Sequence, residues 1–265
     1  MATEVELLQF RFSPYNEKVR WALDLKRIPH RRRSLLPGPH MATLRRLTGQ
    51  TQTPVLRLDG VATFGSARIL RLLERRFAQP RLIPEAPDEA AECERIERLF
   101  DDELGPRVRR AVLAPLLEAP AYLARTFADG QRPLTALAYR LLAPFARGPI
   151  AKGNGLDGPA AAADGEAAVR EALDFVAAGS QRTGYLVGGR FTIADVTAAS
   201  MLATVVSPPR SPMTRPAPMP AAVADFTARF ASHPAAEWVR GIYRDHRGAA
   251  ADFEGEAVYG GGSRT

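Results

Sequence analysis

Over the first 80 positions the apolar residues switch repeatedly between two spacings. The run VELLQF (residues 5–10) has the length and composition of a strand. From Pro14 onward, Val19, Ala22, Leu23 and Ile28 share one helical face with charges opposite. HRRRSLL predicts an extended segment whose charges place it at a sheet edge. PHMATLRRLT predicts a short helix stopped by Gly49. In TPVLRLDGVATF, two strand-like runs flank the turn pair Asp59-Gly60, a hairpin signature. SARILRLLERRF then puts Ile69, Leu72, Leu73 and Phe77 on one stripe of a helix. The predicted order is β-α-β-α-β-β-α.

Pro80, Pro84 and Pro87 punctuate the chain next, and everything beyond them reads as helical. DEAAECERIERLFDDEL, EAAVREALDFVAA, FTIADVTAASMLATVV, PAAVADFTARFASH and PAAEWVRGIYRDHR are the clearest segments. AKGNGLDGPAAAADG reads as a loop. SPPRSPMTRPAPMP, with six prolines, reads as an extended surface crossing. The expected fold class is α/β plus all-α. A small βαβαββα domain covers 1–78, a linker 79–88, an all-helical domain 89–250 and a flexible tail 251–265.

Composition narrows the chemistry. Residues 1–80 hold 15 Lys and Arg against 6 Asp and Glu, a net of +9, whereas the whole chain carries +7. The basic field therefore belongs to the N-terminal third and favours an anionic ligand there. With one cysteine, Cys93, no intrachain disulfide can form, which fits a reducing compartment. One cysteine and four scattered histidines argue against a Cys/His zinc site. No passage approaches a bilayer-spanning length, and MATEVELLQF lacks the pattern of a secretory leader, so a cytoplasmic protein is expected. The GNG of residues 153–155 lacks the spacing of a phosphate loop. Arg31-Arg32-Arg33 has no interleaved aromatics and reads as a solvated edge, not a nucleic-acid site.

Four stretches, in order and spacing, resemble the glutathione S-transferase superfamily: SPYNEKVRWAL at 13–23, TPVL at 53–56, FGSARIL at 64–70 and YLVGGRFTIADVTAA at 185–199. The resemblance covers nearly the whole chain. It implies a thioredoxin-like N-terminal domain, a helical C-terminal domain, a cis bond before Pro54 and a homodimer. It also implies glutathione or a related thiol as co-substrate, with no resident cofactor or metal, and a small hydrophobic electrophile as its partner in a detoxification-type transfer. Ser13 is the implied catalytic residue. Tyr15, Gln52, Thr53, Pro54, Gly65 and Ser66 are the implied ligand-binding positions.

The residues themselves allow two readings of Ser13. It can cap the helix that Pro14 opens, its hydroxyl accepting from the N–H of Asn16 or Tyr15. It can equally donate to a thiolate held at the same positive helix end. A hydrogen bond to a charged group contributes about 1.5–3 kcal/mol, or about 1–2 pKa units. Disulfide chemistry is disfavoured, because a cysteine is needed where Ser13 stands, and Cys93 reads as a buried apolar residue. Thr192 and Asp195 form a capping box, which is structural.

The third stretch departs from the family pattern. Where the family carries Glu, Gln or Asp before the serine, this chain has Gly65. Ser66 can still hold a carboxylate at a helix start, but the side chain that would engage the γ-glutamyl ammonium is missing. Gln52 aligns with a position near the glycyl carboxylate. A non-catalytic binding or regulatory protein of the same fold is the competing expectation. The apolar helices of about 107–150 are expected to form the electrophile pocket.

Overall fold

The structure, a computed structural model, describes residues 4–129, 131–142, 145 and 147–252. Its first part has the predicted order: β1 (Val5–Gln9), α1 (Pro14–Leu25), β2 (Arg31–Ser34), α2 (His40–Thr48), β3 (Val55–Leu58), β4 (Val61–Phe64) and α3 (Ser66–Arg76). The sheet runs β2-β1-β3-β4, with β1 parallel to β2 and the other pairs antiparallel. Leu7, Val19, Leu23, Leu56, Ile69 and Leu73 are fully buried between the sheet and α1 and α3. Each such aliphatic side chain contributes about 1.5–3 kcal/mol by leaving water.

α4 (Pro87–Arg98) passes through a π-helical stretch (Leu99–Leu104) into α5 (Gly105–Glu118). α6 (Pro120–Ala128), α7 (Pro133–Leu142), α8 (Arg147–Gly153), α9 (Pro159–Ser180), α10 (Ile193–Val206), α11 (Ala221–Ala228) and α12 (Pro234–His246) follow. The predicted loop at 151–165 is largely helical. Its alanine run has the highest helix propensity available, and Pro159 suits the first turn of α9. α10 is buried along its whole length and packs against α1, α4 and α12, so it is the axle joining the two halves.

The connection between halves is ionic as well as apolar. Lys18 of α1 is fully buried and donates to Glu97 at 3.1 Å and Asp101 at 2.6 Å, and Arg71 of α3 reaches Glu97 at 2.7 Å. Gly105 makes room for this approach. A Cβ there would lie 2.5 Å from the Tyr15 hydroxyl and 2.5 Å from the Phe100 carbonyl.

The C-terminal end returns to the first domain. Arg247 pairs with Glu17 and Asp24, each at 2.9 Å, and the Ala251 N–H donates to Asp24. Asp252 pairs with Arg32. Ala251 and Asp252 thus open the predicted tail against α1 and β2, and residues 253–265 lie outside the described residues. Arg32 also corrects the reading of the basic triplet. Arg31 and Arg33 are exposed, but Arg32 points inward, because β-strand side chains alternate. It binds Asp24 at 2.5 Å and the His30 ring at 3.0 Å. Asp24, His30 and Asp252 converge closely enough to suggest a cation site, but the Arg32 guanidinium occupies their common point.

Candidate active site

Ser13 sits at the entry to α1 with extended backbone (φ −152°, ψ 125°) and Pro14 behind it. Its carbonyl accepts from the Glu17 N–H at 3.0 Å, the first bond of the helix. Its hydroxyl makes no capping bond. The reading of Ser13 as a side-chain cap is therefore not what the structure adopts; the backbone alone starts the helix. The half-buried hydroxyl remains available at the positive end of α1.

The reciprocal half of a capping box is missing as well. In such a box the residue three positions on turns back to the helix start. Here it is Asn16, and its buried amide instead donates to Thr53 Oγ1 at 3.0 Å. The bond ties α1 to the loop before β3. The Thr53-Pro54 bond is cis. The register of the hairpin sets Val55 opposite Phe64, and the Gly65 N–H donates to the Pro54 carbonyl at 3.2 Å. Ser66, nearly buried, is the first residue of α3.

Two hydrogen bonds thus link the first turn of α1, the Thr53-Pro54 loop and Gly65 at the start of α3 into one cluster. Asn16 was not singled out as a site residue from the sequence. Its position, fourth in SPYN, was the available signal, but the partner lies 37 residues away and only the fold reveals it.

Gly65 has φ +87° and ψ 127°, and a Cβ built on it meets nothing within 4 Å. The positive φ is a conformation that glycine adopts without strain and other residues rarely do. The open space beyond it is where a longer side chain would extend.

The remaining candidates separate. The Tyr15 hydroxyl donates to the Asp101 carbonyl at 2.9 Å, and burial, reinforced by the Asp101 charge, pushes its pKa far above the usual phenol value. The group is neutral and faces the helical half. Gln52 is exposed, with its backbone N–H and carbonyl both bonded to the Gln50 side chain.

The wall next to Ser13 comes from the β1–α1 loop and the helical half. Phe10 meets the rings of His40 and Phe127 edge-on, at 4.7 and 6.4 Å between centroids. The Arg215 guanidinium lies 5.5 Å from the Phe12 ring, and Arg11 pairs with Asp129 at 2.5 Å. α6 and the proline-rich 207–220 loop therefore approach the Phe10–Phe12 loop that precedes Ser13, whereas α7 and α8, within the expected pocket segment, bury no residue. A groove lined by Glu92, Arg95, Ile96, Phe175 and Leu186 lies between α4 and α9 and contains none of the candidate residues.

Residues 7–81 match the family model of the glutathione S-transferase N-terminal domain, and residues 159–227 that of the C-terminal domain. The chain belongs to the glutathione S-transferase superfamily. Among solved structures it is similar to a glutathione S-transferase from Rhodospirillum rubrum F11, with 22% identity, TM-score 0.60 and coverage of 90% of this chain and 87% of that one. A glutathione S-transferase from Methylobacterium radiotolerans, solved in complex with glutathione sulfonate, is 23% identical, with TM-score 0.58 and 91% coverage of each chain. FzlA from C. crescentus is 22% identical, with TM-score 0.55 and coverage of 96% and 99%. At these identities the likeness is one of fold. No curated protein matches the chain in sequence. Among the described residues, no helix of this superfamily member is long and apolar enough to cross a membrane.

Proposed function

We propose that the protein is a thiol transferase. It binds glutathione or a related thiol along Thr53, Pro54 and Ser66, ionises it beside Ser13 and joins its sulfur to a small electrophile. The observation that supports this reading is the unspent Ser13 hydroxyl at the start of α1, in one cluster with the Thr53–Pro54 loop and the start of α3. In the proposed reaction the backbone of Thr53 pairs with the cysteinyl part of the thiol, and the Ser66 end of α3 holds a carboxylate. Gln52 lies beside the same loop, and Tyr15 holds the first turn of α1 against Asp101.

The thiol proton leaves to solvent, and the Ser13 hydroxyl donates to the sulfur anion. The sulfur then forms a bond to carbon, and the displaced pair departs with the leaving group or is quenched by a proton. The electrophile rests against Phe10, Phe12 and Phe127. The working form is a cytoplasmic homodimer, as the superfamily membership suggests, and light scattering in solution checks the mass.

Gly65 favours a second reading, in which the fold is kept for binding or regulation without catalysis, because no side chain is present there to engage an ammonium group. Titration calorimetry with glutathione, followed by turnover with an activated aryl halide, separates the two. Binding at millimolar glutathione or tighter, with turnover that falls on Ser13→Ala, supports the transferase. Absence of binding for glutathione and other cellular thiols supports the second reading.

A further inference from the structure

α7 has no buried residue, although it is rich in leucine. Leu134 is 82% exposed, Leu137 54% and Leu141 65%. Their spacing of three and four puts them on one stripe of the helix. Ala136 and Tyr139, on the opposite side, are partly buried where α7 packs on α6. Leu142 and Phe145 continue the exposed apolar surface at 68% and 86%. Eight large hydrophobic side chains are exposed among the described residues, and five of them fall in these 12 positions. Clustering of that kind marks an interaction site, whereas scattered exposure does not.

The charge around the stripe is of one sign. From 130 to 156 the sequence holds Arg132, Arg140, Arg147 and Lys152 and no Asp or Glu. All four cations are exposed. The nearest acid upstream, Asp129, is taken by Arg11. Gln131 donates to the Ser34 carbonyl at 3.1 Å, so the start of α7 sits at the end of β2, where Arg33 is exposed. An exposed leucine stripe flanked by cations, on a helix of 10 residues, has the form of a segment that lies in a lipid interface without crossing it.

We propose that α7, with Phe145, Arg147 and Lys152 beyond it, docks the protein onto an anionic membrane surface. The leucines enter the boundary between headgroups and acyl chains, and Arg132, Arg140, Arg147 and Lys152 face the phosphates. A second copy of the chain fits less well, since two such faces would bring like charges together.

Vesicle co-sedimentation of the full chain tests this, using phosphatidylcholine alone and phosphatidylcholine mixed with phosphatidylglycerol. The protein is expected to sediment with the mixed vesicles and to be released by raised salt. Leu137→Glu with Leu141→Glu should abolish sedimentation. Arg140→Glu with Arg147→Glu should weaken it by about tenfold or more. Both variants alter exposed side chains, and an unchanged thermal midpoint confirms that they fold. Absence of binding to mixed vesicles, equal binding to both vesicle types, or binding unchanged in the leucine variant would overturn the proposal. So would a leucine variant that converts a dimer to a monomer while wild type ignores vesicles, which would assign the stripe to a second copy.

Discussion

α1 and α10 begin alike, each with a hydroxyl residue in extended conformation at the helix entry. They spend that residue differently. At α10, Thr192 and Asp195 close on one another. The Asp195 carboxylate accepts from the Thr192 N–H at 2.8 Å, from the Thr192 hydroxyl at 3.0 Å and from the Leu186 N–H at 2.9 Å. The cap is buried, and burial pushes Asp195 up to about 6. At α1, Asn16 turns away to Thr53, and the Ser13 hydroxyl is left unpaired at a half-exposed helix end. A cap satisfied within the protein is structure. A helix end with its polar groups unspent is an available anion site.

The body of α1 marks the strongest contrast with its own open end. Lys18→Met removes the cation between Glu97 and Asp101, leaving Asp101 unpaired and Glu97 with Arg71 alone. Unfolding free energy should fall by about 3–5 kcal/mol in denaturant titrations. Burial raises the Glu97 carboxyl, but Lys18 and Arg71 outweigh it and hold the group below its ordinary value of 4.5. A depressed carboxylate contributes stability that is present above its ordinary value and lost as pH falls through the lower folded value. The contribution of Glu97 to wild-type stability should therefore be full above pH 4.5 and fade as pH falls below it, whereas Asp101, which burial holds above its ordinary value despite Lys18, gives no such gain at high pH.

Asp195→Ala strands the Leu186 and Thr192 N–H groups at the α10 cap. A loss of about 2–4 kcal/mol is expected in the same assay. Ser13→Ala, at the corresponding place on α1, should change stability by no more than about 0.5 kcal/mol. Its effect belongs in thiol transfer instead, where turnover should drop about ten- to a hundredfold. A variant that unfolds as Asp195→Ala does, with turnover intact, would make the two caps equivalent and end the distinction.

Gly65→Gln is the gentlest probe. Its side chain would enter open space, and the positive φ should cost about 1 kcal/mol of stability. If a γ-glutamyl thiol is the ligand, calorimetry should show glutathione binding about tenfold tighter. Unchanged affinity would point to a ligand without that ammonium group.

The order of strands and helices was readable because each element of the first 76 residues carries its own signal: short strand-like runs in β3 and β4, a leucine stripe in α3, Asp59-Gly60 between the hairpin strands. The capping box of α10 was readable for the same reason, since its partners are three residues apart. Ser13 and Asn16 have that spacing too, and there local reasoning predicted a cap that the fold does not use. Arg32 followed the same course. Within a basic triplet it reads as solvated, yet strand alternation turns it inward toward acids at 24 and 252.

Local chemistry thus decided which segments become helix or strand, where they start and which residue types stand near the site. Tertiary structure decided which polar groups are consumed. Asn16 found Thr53, Lys18 found Glu97 and Asp101, and Arg247 found Glu17 and Asp24. A backbone periodicity is a property of neighbours a few residues apart. The satisfaction of a buried donor or charge depends on groups brought close only when the sheet, α1 and α10 pack together.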